Sequence, residues 1–302
     1  MDSRWDELPT EARHAESADL DLLASARIVE LLVEEDRRGL ERVREQAQEL
    51  ARVADGMAET IAAGGDLLFA GAGTSGRLGV LEAAECPPTF GTAPERVRAV
   101  MAGGADAVFR AVEGAEDRED DGRAAVAGLS AADLLIAVSA SSVTPFALGA
   151  LAGARARGAR TVLLTCASRQ GLDGVADIVI ALDTGPEILT GSTRLKAGSA
   201  TKAALNALTT TAMVRAGKVY GHWMGDLRAG SSKLVDRAVR IVADAGGLER
   251  EAAAELLRRS GGEVKTALVA ALAAVAPEAA RVLLERSGGR VRQAISAGDS
   301  PC

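Results

Sequence analysis

Apolar positions change their period along this chain. Leu22, Leu23, Ile28, Leu31 and Leu32 recur at helical spacing, and the charged stretch from Glu34 to Glu49 reads as a solvated face, so the first 65 residues are predicted to be helical. Gly64-Gly65 ends that region. Short, nearly all-apolar runs follow, and residues 67–70, 97–101, 134–138, 161–166 and 178–182 are predicted strands. Between them, helices are expected from the first glycine-rich turn to Pro87-Pro88 and after Pro145, and a long helix is expected beyond the last strand, over about 194–216. Strands alternating with helices predict an α/β fold built on a parallel sheet. Strands this uniformly apolar fit burial on both faces.

After about Gly246 only short helices are expected, and the segment 256–264 (LLRRSGGEV) recurs at 283–291 (LLERSGGRV). Each copy reads as a helix, a Gly-Gly break and a second helix, and two copies are too few for a solenoid. The chain therefore divides into an N-terminal helical segment (1–55), an α/β domain (56–245) and a C-terminal helical domain (246–302).

Composition narrows the functional classes. A net charge of −7 and only seven aromatic residues argue against a nucleic-acid groove, which needs a concentrated basic surface and stacking platforms. Cys86, Cys166 and Cys302 lie far apart from one another and from His14 and His222, without CxxC, HxxxH or HExxH spacing, so no metal site is expected. Sparse cysteines fit a reducing cytoplasm. The acidic, polar N-terminus does not read as a signal peptide. The uncharged run 134–154 contains three serines, Thr144 and Pro145; it reads as strand, turn and helix, not a membrane span.

Two strand-to-helix turns carry the candidate chemistry, because ligands bind at the carboxyl ends of strands in open α/β sheets. The first, Gly71-Ala72-Gly73-Thr74-Ser75-Gly76-Arg77, combines glycines that admit close backbone approach with a helix N-terminus and two hydroxyls. Its GxGxxG spacing suggests a dinucleotide, but no acid is clearly placed about 20 residues on to hold a ribose. The second turn, Ser139 to Thr144, offers neutral hydroxyl donors before another helix. Two such turns in one sheet suggest a phosphorylated small molecule; a plain tight turn and a solvated serine loop remain the alternatives. Glu82, Glu85, Glu113, Glu116 and Asp117 are the nearby carboxylates, and spacing alone does not select a catalytic pair.

Longer segments are more specific. Residues 71–91 (GAGTSGRLGVLEAAECPPTFG) and 185–220 (GPEILTGSTRLKAGSATKAALNALTTTAMVRAGKVY) closely resemble the signatures of N-acetylmuramic acid 6-phosphate etherases. Leu8-Pro9-Thr10-Glu11, Ser17 to Asp21 and Val112 to Asp117 resemble that family too, so the likeness runs from about residue 8 into the C-terminal helices. The resemblance implies a flavodoxin-like sugar isomerase (SIS) domain that binds phosphosugars, a homodimer, and a small C-terminal helical domain similar to ubiquitin-associated folds. It also implies a cytoplasmic lyase without metal or organic cofactor. Such a lyase splits the ether between D-lactate and C3 of N-acetylmuramic acid 6-phosphate, leaving N-acetylglucosamine 6-phosphate, in the recycling of cell-wall sugars.

By the same resemblance Glu116 matches a base for the C2 proton and Glu85 the acid that protonates lactate. Thr74 and Ser75 match the first phosphate turn. In the second, Ser141 and Thr144 are kept, while Ser142 replaces a glycine and Val143 an arginine. Glu187 and Lys196 are expected to face the sugar, with helix packing or a dimer contact as the alternative for Lys196 and Arg194. His222, where the family tends to have asparagine, is expected to be structural. The rival functions are a non-catalytic phosphosugar sensor, which needs neither Glu85 nor Glu116, and an aldose–ketose isomerase, which shares the C2 base but releases no lactate.

Overall fold

The computed structural model describes residues 9–227 and 231–298; Leu8 of the N-terminal motif and Cys302 lie outside them. Two short 3-10 turns, Pro9–Glu11 and Leu20–Leu22, precede helices α1 (Ser25–Glu45) and α2 (Ala47–Ala62). The predicted helical N-terminus thus begins at Ser25. Leu22 is exposed and Leu31 buried. The buried face of α1 carries Leu31, Glu35, Gly39 and Val43, spaced four apart as one helical face requires. Glu35, inside the run read as solvated, is therefore a core residue at 4% exposure.

Five strands follow: β1 (Leu67–Gly71), β2 (Val97–Met101), β3 (Leu134–Val138), β4 (Arg160–Thr165) and β5 (Ile178–Ala181). They form one parallel sheet in the order β2-β1-β3-β4-β5, with Leu67 opposite both Val97 and Leu134. That order is flavodoxin-like, and its direction reverses at β1. Every residue of β1 and β3 is buried, the expected pattern for central parallel strands. The intervening helices are α3 (Gly73–Phe90), α4 (Glu119–Ala125), α5 (Pro145–Arg155) and α6 (Lys196–Arg215). Leu68, Ala70, Leu135 and Ala137 share a core with Val126 of the segment after α4 and with Phe146 and Leu151 of α5. On the opposite face, Phe69 meets α3, where a Cβ on Gly79 would come within 2.9 Å of it. α3 continues two residues past the expected end at Pro87-Pro88, and the Gly91 N–H donates to the Pro87 carbonyl, with Gly91 at φ +64 closing the helix.

The chain forms two compact units: Met1–Ala84 with Glu95–Ala212, and Glu85–Pro94 with Met213–Cys302. In the second, a small hairpin of β6 (Val219–Tyr220) and β7 (Trp223–Met224) precedes α7 (Ser232–Gly246), α8 (Arg250–Arg259), α9 (Val264–Leu272), α10 (Pro277–Arg286) and α11 (Val291–Gly298). The repeat folds as expected. Gly261, Gly262, Gly288 and Gly289 all have positive φ, and the N–H groups of Gly262 and Gly289 return to the carbonyls of Leu257 and Leu284. The run 134–154 is strand, turn and helix, and among the described residues no single helix is long and apolar enough to cross a membrane.

Candidate active site

At the carboxyl ends of β1 and β3, where the strand order reverses, the first unit opens a cleft of about 260 Å³. Thr74 and Ser75 reach it from the first turn of α3, and Ser141, Val143 and Thr144 from the turn before α5. Glu116 joins them from the loop before α4. Five of the eight residues expected on resemblance, one of the catalytic pair and four of the phosphate set, are thereby brought together.

Each turn has a reason for its shape. A Cβ on Gly71 would lie 2.9 Å from the Gly76 backbone nitrogen, and one on Gly76 would lie 2.7 Å from the Gly71 carbonyl oxygen. These glycines therefore let strand and helix backbones touch. The first N–H groups of α3 have no intrahelical acceptor and carry the positive end of the helix dipole. In the second turn the Ser139 and Thr144 hydroxyls are 2.9 Å apart and share a hydrogen bond, and the Ser142 hydroxyl donates to the Ser141 carbonyl at 2.5 Å. Ser142 sits at φ +66, the conformation in which a glycine is free of strain. None of the cleft's described lining residues is Lys or Arg, so an anion there would be held by hydroxyls and the N-termini of α3 and α5.

Glu116 is held by its backbone. Its carbonyl accepts from Phe146 N–H at 2.9 Å, tying the acidic loop to α5. α4 then packs against α5 through two glycines that no sequence motif marks: a Cβ on Gly122 would come 2.0 Å from the Phe146 carbonyl oxygen, and one on Gly149 2.0 Å from that of Glu119. A second cavity of about 260 Å³ shares Ala72, Gly73 and Glu116 with the first and runs toward Met101, Val112 and Glu113. Arg77 walls it and donates to the carbonyls of Ala107 and Val108, linking α3 to the loop that leads to Glu116.

Other expected residues lie elsewhere. Glu187 and Lys196 are buried and are not among those lining the cleft. Glu187 accepts the Lys196 and Ala197 backbone N–H groups at 3.1 and 2.8 Å, capping the start of α6. Burial raises its pKa in spite of those two donors. Lys196 donates to Glu35 at 2.5 Å and to the Pro186 carbonyl at 2.8 Å. Burial pushes the Glu35 carboxyl up, but Lys196, His14 and Arg38 outweigh it and hold the pKa below the ordinary value. Glu82 is buried and accepts from the Thr209 hydroxyl. Glu85 is an exposed residue of the last turns of α3, in the second compact unit. His222 is exposed at the β6–β7 turn, with its ring 4.3 Å from that of Trp223. Four lining residues were not expected: Thr10, Glu11, Gly191 and Thr193. Thr10 and Glu11 belong to the Leu8–Glu11 motif, and Gly191 and Thr193 to the 185–220 segment, but spacing alone gives them no role.

A 2-1-3-4-5 parallel sheet with an anion-receptive cleft at its switch point is the architecture of an SIS domain, and residues 49–155 match the family model described as the glucokinase regulatory protein N-terminal SIS domain. The chain is 49% identical over 271 residues to an N-acetylmuramic acid 6-phosphate etherase of Synechococcus sp. (strain CC9605), covering 89% of this chain and 86% of that protein. It is 50% identical over 274 residues to one from Gloeobacter violaceus (89% and 90%) and 48% identical over 277 residues to one from Rubrobacter xylanophilus (91% and 92%). The chain belongs to the N-acetylmuramic acid 6-phosphate etherase family.

Proposed function

We propose that this chain is a cytoplasmic carbon–oxygen lyase that removes D-lactate from C3 of N-acetylmuramic acid 6-phosphate and leaves N-acetylglucosamine 6-phosphate. The observation that carries this reading is the cleft, in which Thr74, Ser75, Ser141 and Thr144 converge with Glu116. Four hydroxyls beside two helix N-termini suit a phosphate, and one carboxylate at the same cleft suits proton abstraction from the attached sugar.

In the open-chain aldehyde the C2 proton is acidic. Glu116 takes it, the C3–O bond breaks, and lactate leaves with a proton supplied by a second carboxyl group. Water then adds at C3 and the aldehyde recloses. The resemblance gives the acid's part to Glu85. Opposite roles for the two carboxyl groups require environments that separate their pKa values. The same likeness supports a homodimer, and the exposed Val29, Val33 and Leu40 of α1 offer an apolar face for such an assembly to cover. It also supports the division into segments 1–55, 56–245 and 246–302.

The experiment is D-lactate release from N-acetylmuramic acid 6-phosphate by the purified protein. One lactate per sugar is expected, and Glu116→Gln lowers kcat by about 10²–10⁴. Glu85→Ala loses lactate release but keeps exchange of the C2 proton with deuterated solvent; loss of both refutes the division of roles. Tight phosphosugar binding without lactate release refutes the lyase.

A further inference from the structure

The N-terminal turn Pro9–Glu11 enters the cleft as one of its walls. Thr10 is 1% exposed, and its Oγ1 has no hydrogen-bond partner among the described residues. A buried hydroxyl without a partner costs folding free energy, and valine would fill the same space without that cost. The cost is offset when something that enters the cleft supplies the missing partner.

The turn is held in place. His14 Nε2, four residues after Thr10, lies 3.3 Å from Glu35 Oε2, the same oxygen that Lys196 reaches at 2.5 Å. Lys196 also grips the Pro186 carbonyl at the start of the loop that brings Gly191 and Thr193 to the cleft. Glu11 packs against that loop, and a Cβ on Gly191 would lie 2.9 Å from its carboxylate. One buried ion cluster thus fixes two segments about 180 residues apart, each supplying cleft residues.

We infer that Thr10 is a ligand-binding residue of this cleft, its hydroxyl hydrogen-bonding the bound phosphosugar. The inference rests on the phosphosugar reading proposed above. A purely structural threonine and a ligand-binding one respond differently to Thr10→Val. Calorimetric titration with N-acetylglucosamine 6-phosphate, beside thermal melting of the ligand-free proteins, separates them. Thr10→Val binds the sugar phosphate about tenfold more weakly while its ligand-free melting temperature is unchanged or higher, and Thr10→Ser binds within about threefold of wild type. Wild-type affinity in Thr10→Val overturns the inference. So does a weakened affinity accompanied by a lowered ligand-free melting temperature, because the hydroxyl then serves the fold. If the wild-type protein itself fails to bind N-acetylglucosamine 6-phosphate, the phosphosugar reading falls and this inference with it.

Discussion

Gly71 at the end of β1 and Gly76 in the first turn of α3 stand where their absent Cβ atoms would strike each other's backbone, whereas the turn after β3, residues 139–144, contains no glycine. The first turn gains its shape by removing side chains, so that the N-terminus of α3 presses against the end of β1. The second gains it by hydrogen bonds among side chains, with Ser139 tied to Thr144 and Ser142 to the Ser141 carbonyl. Two neighbouring strand ends thus reach the same anion-receptive arrangement by opposite means. The comparison implies that the first turn is intolerant of added atoms, and that the second is intolerant of lost hydroxyls.

The largest expected effect is at Gly76. A Cβ there meets the Gly71 carbonyl oxygen at 2.7 Å and Met101 Cγ at 2.8 Å, so Gly76→Ala is expected to cost about 3 kcal/mol in a denaturant titration. Gly73 supplies the internal control. It has φ +54, but a Cβ there meets nothing within 4 Å, so Gly73→Ala bears only the torsional cost of about 1–2 kcal/mol. If the two substitutions cost the same, close backbone contact is not what the glycines of this turn provide.

The converse test is Thr144→Val, which keeps the shape and removes the hydroxyl. It breaks the 2.9 Å bond to Ser139, itself 3% exposed, and takes one donor from the cleft. Phosphosugar affinity measured by calorimetry falls about tenfold, with about 1 kcal/mol of stability lost alongside. Stability lost with affinity intact would make the second turn a structural cap only.

The contrast also separates what could be read in the chain from what could not. The five strands are legible because each is a short, mainly apolar run, and both turns follow directly from β1 and β3. Glu116 beside the cleft is recoverable only through the family likeness, since its place depends on a backbone hydrogen bond from Phe146 and on the fit of Gly122 against Phe146 and of Gly149 against Glu119. Glu35 reads as solvated from sequence because its partner, Lys196, lies 161 residues away. The burial of Lys196 against Glu35 and the capping of α6 by Glu187 are equally hidden, because a buried pair and a helix cap look, in sequence, like any charged residues in a specific motif. Local periodicity determines elements, and the ion cluster that fixes the cleft's N-terminal wall is a long-range pairing that no local pattern encodes.

Ser142 gives the smallest effect and the finest test of the comparison. Its φ of +66 costs about 1–2 kcal/mol for a residue with a Cβ, and glycine would remove that strain. Two effects oppose the gain: glycine surrenders about 0.5–1 kcal/mol of backbone entropy on folding, and the hydroxyl's bond to the Ser141 carbonyl disappears. Ser142→Gly is therefore expected to stabilise by only about 0.5 kcal/mol, a rise of roughly 1–2 °C in melting temperature. Phosphosugar affinity should not change, because the Ser142 hydroxyl is turned to its own turn's backbone and not to the cleft. A fall in melting temperature would mean that the Ser142 hydrogen bond outweighs the strain, and that the second turn depends on its side-chain bonds even where its backbone would accept a glycine.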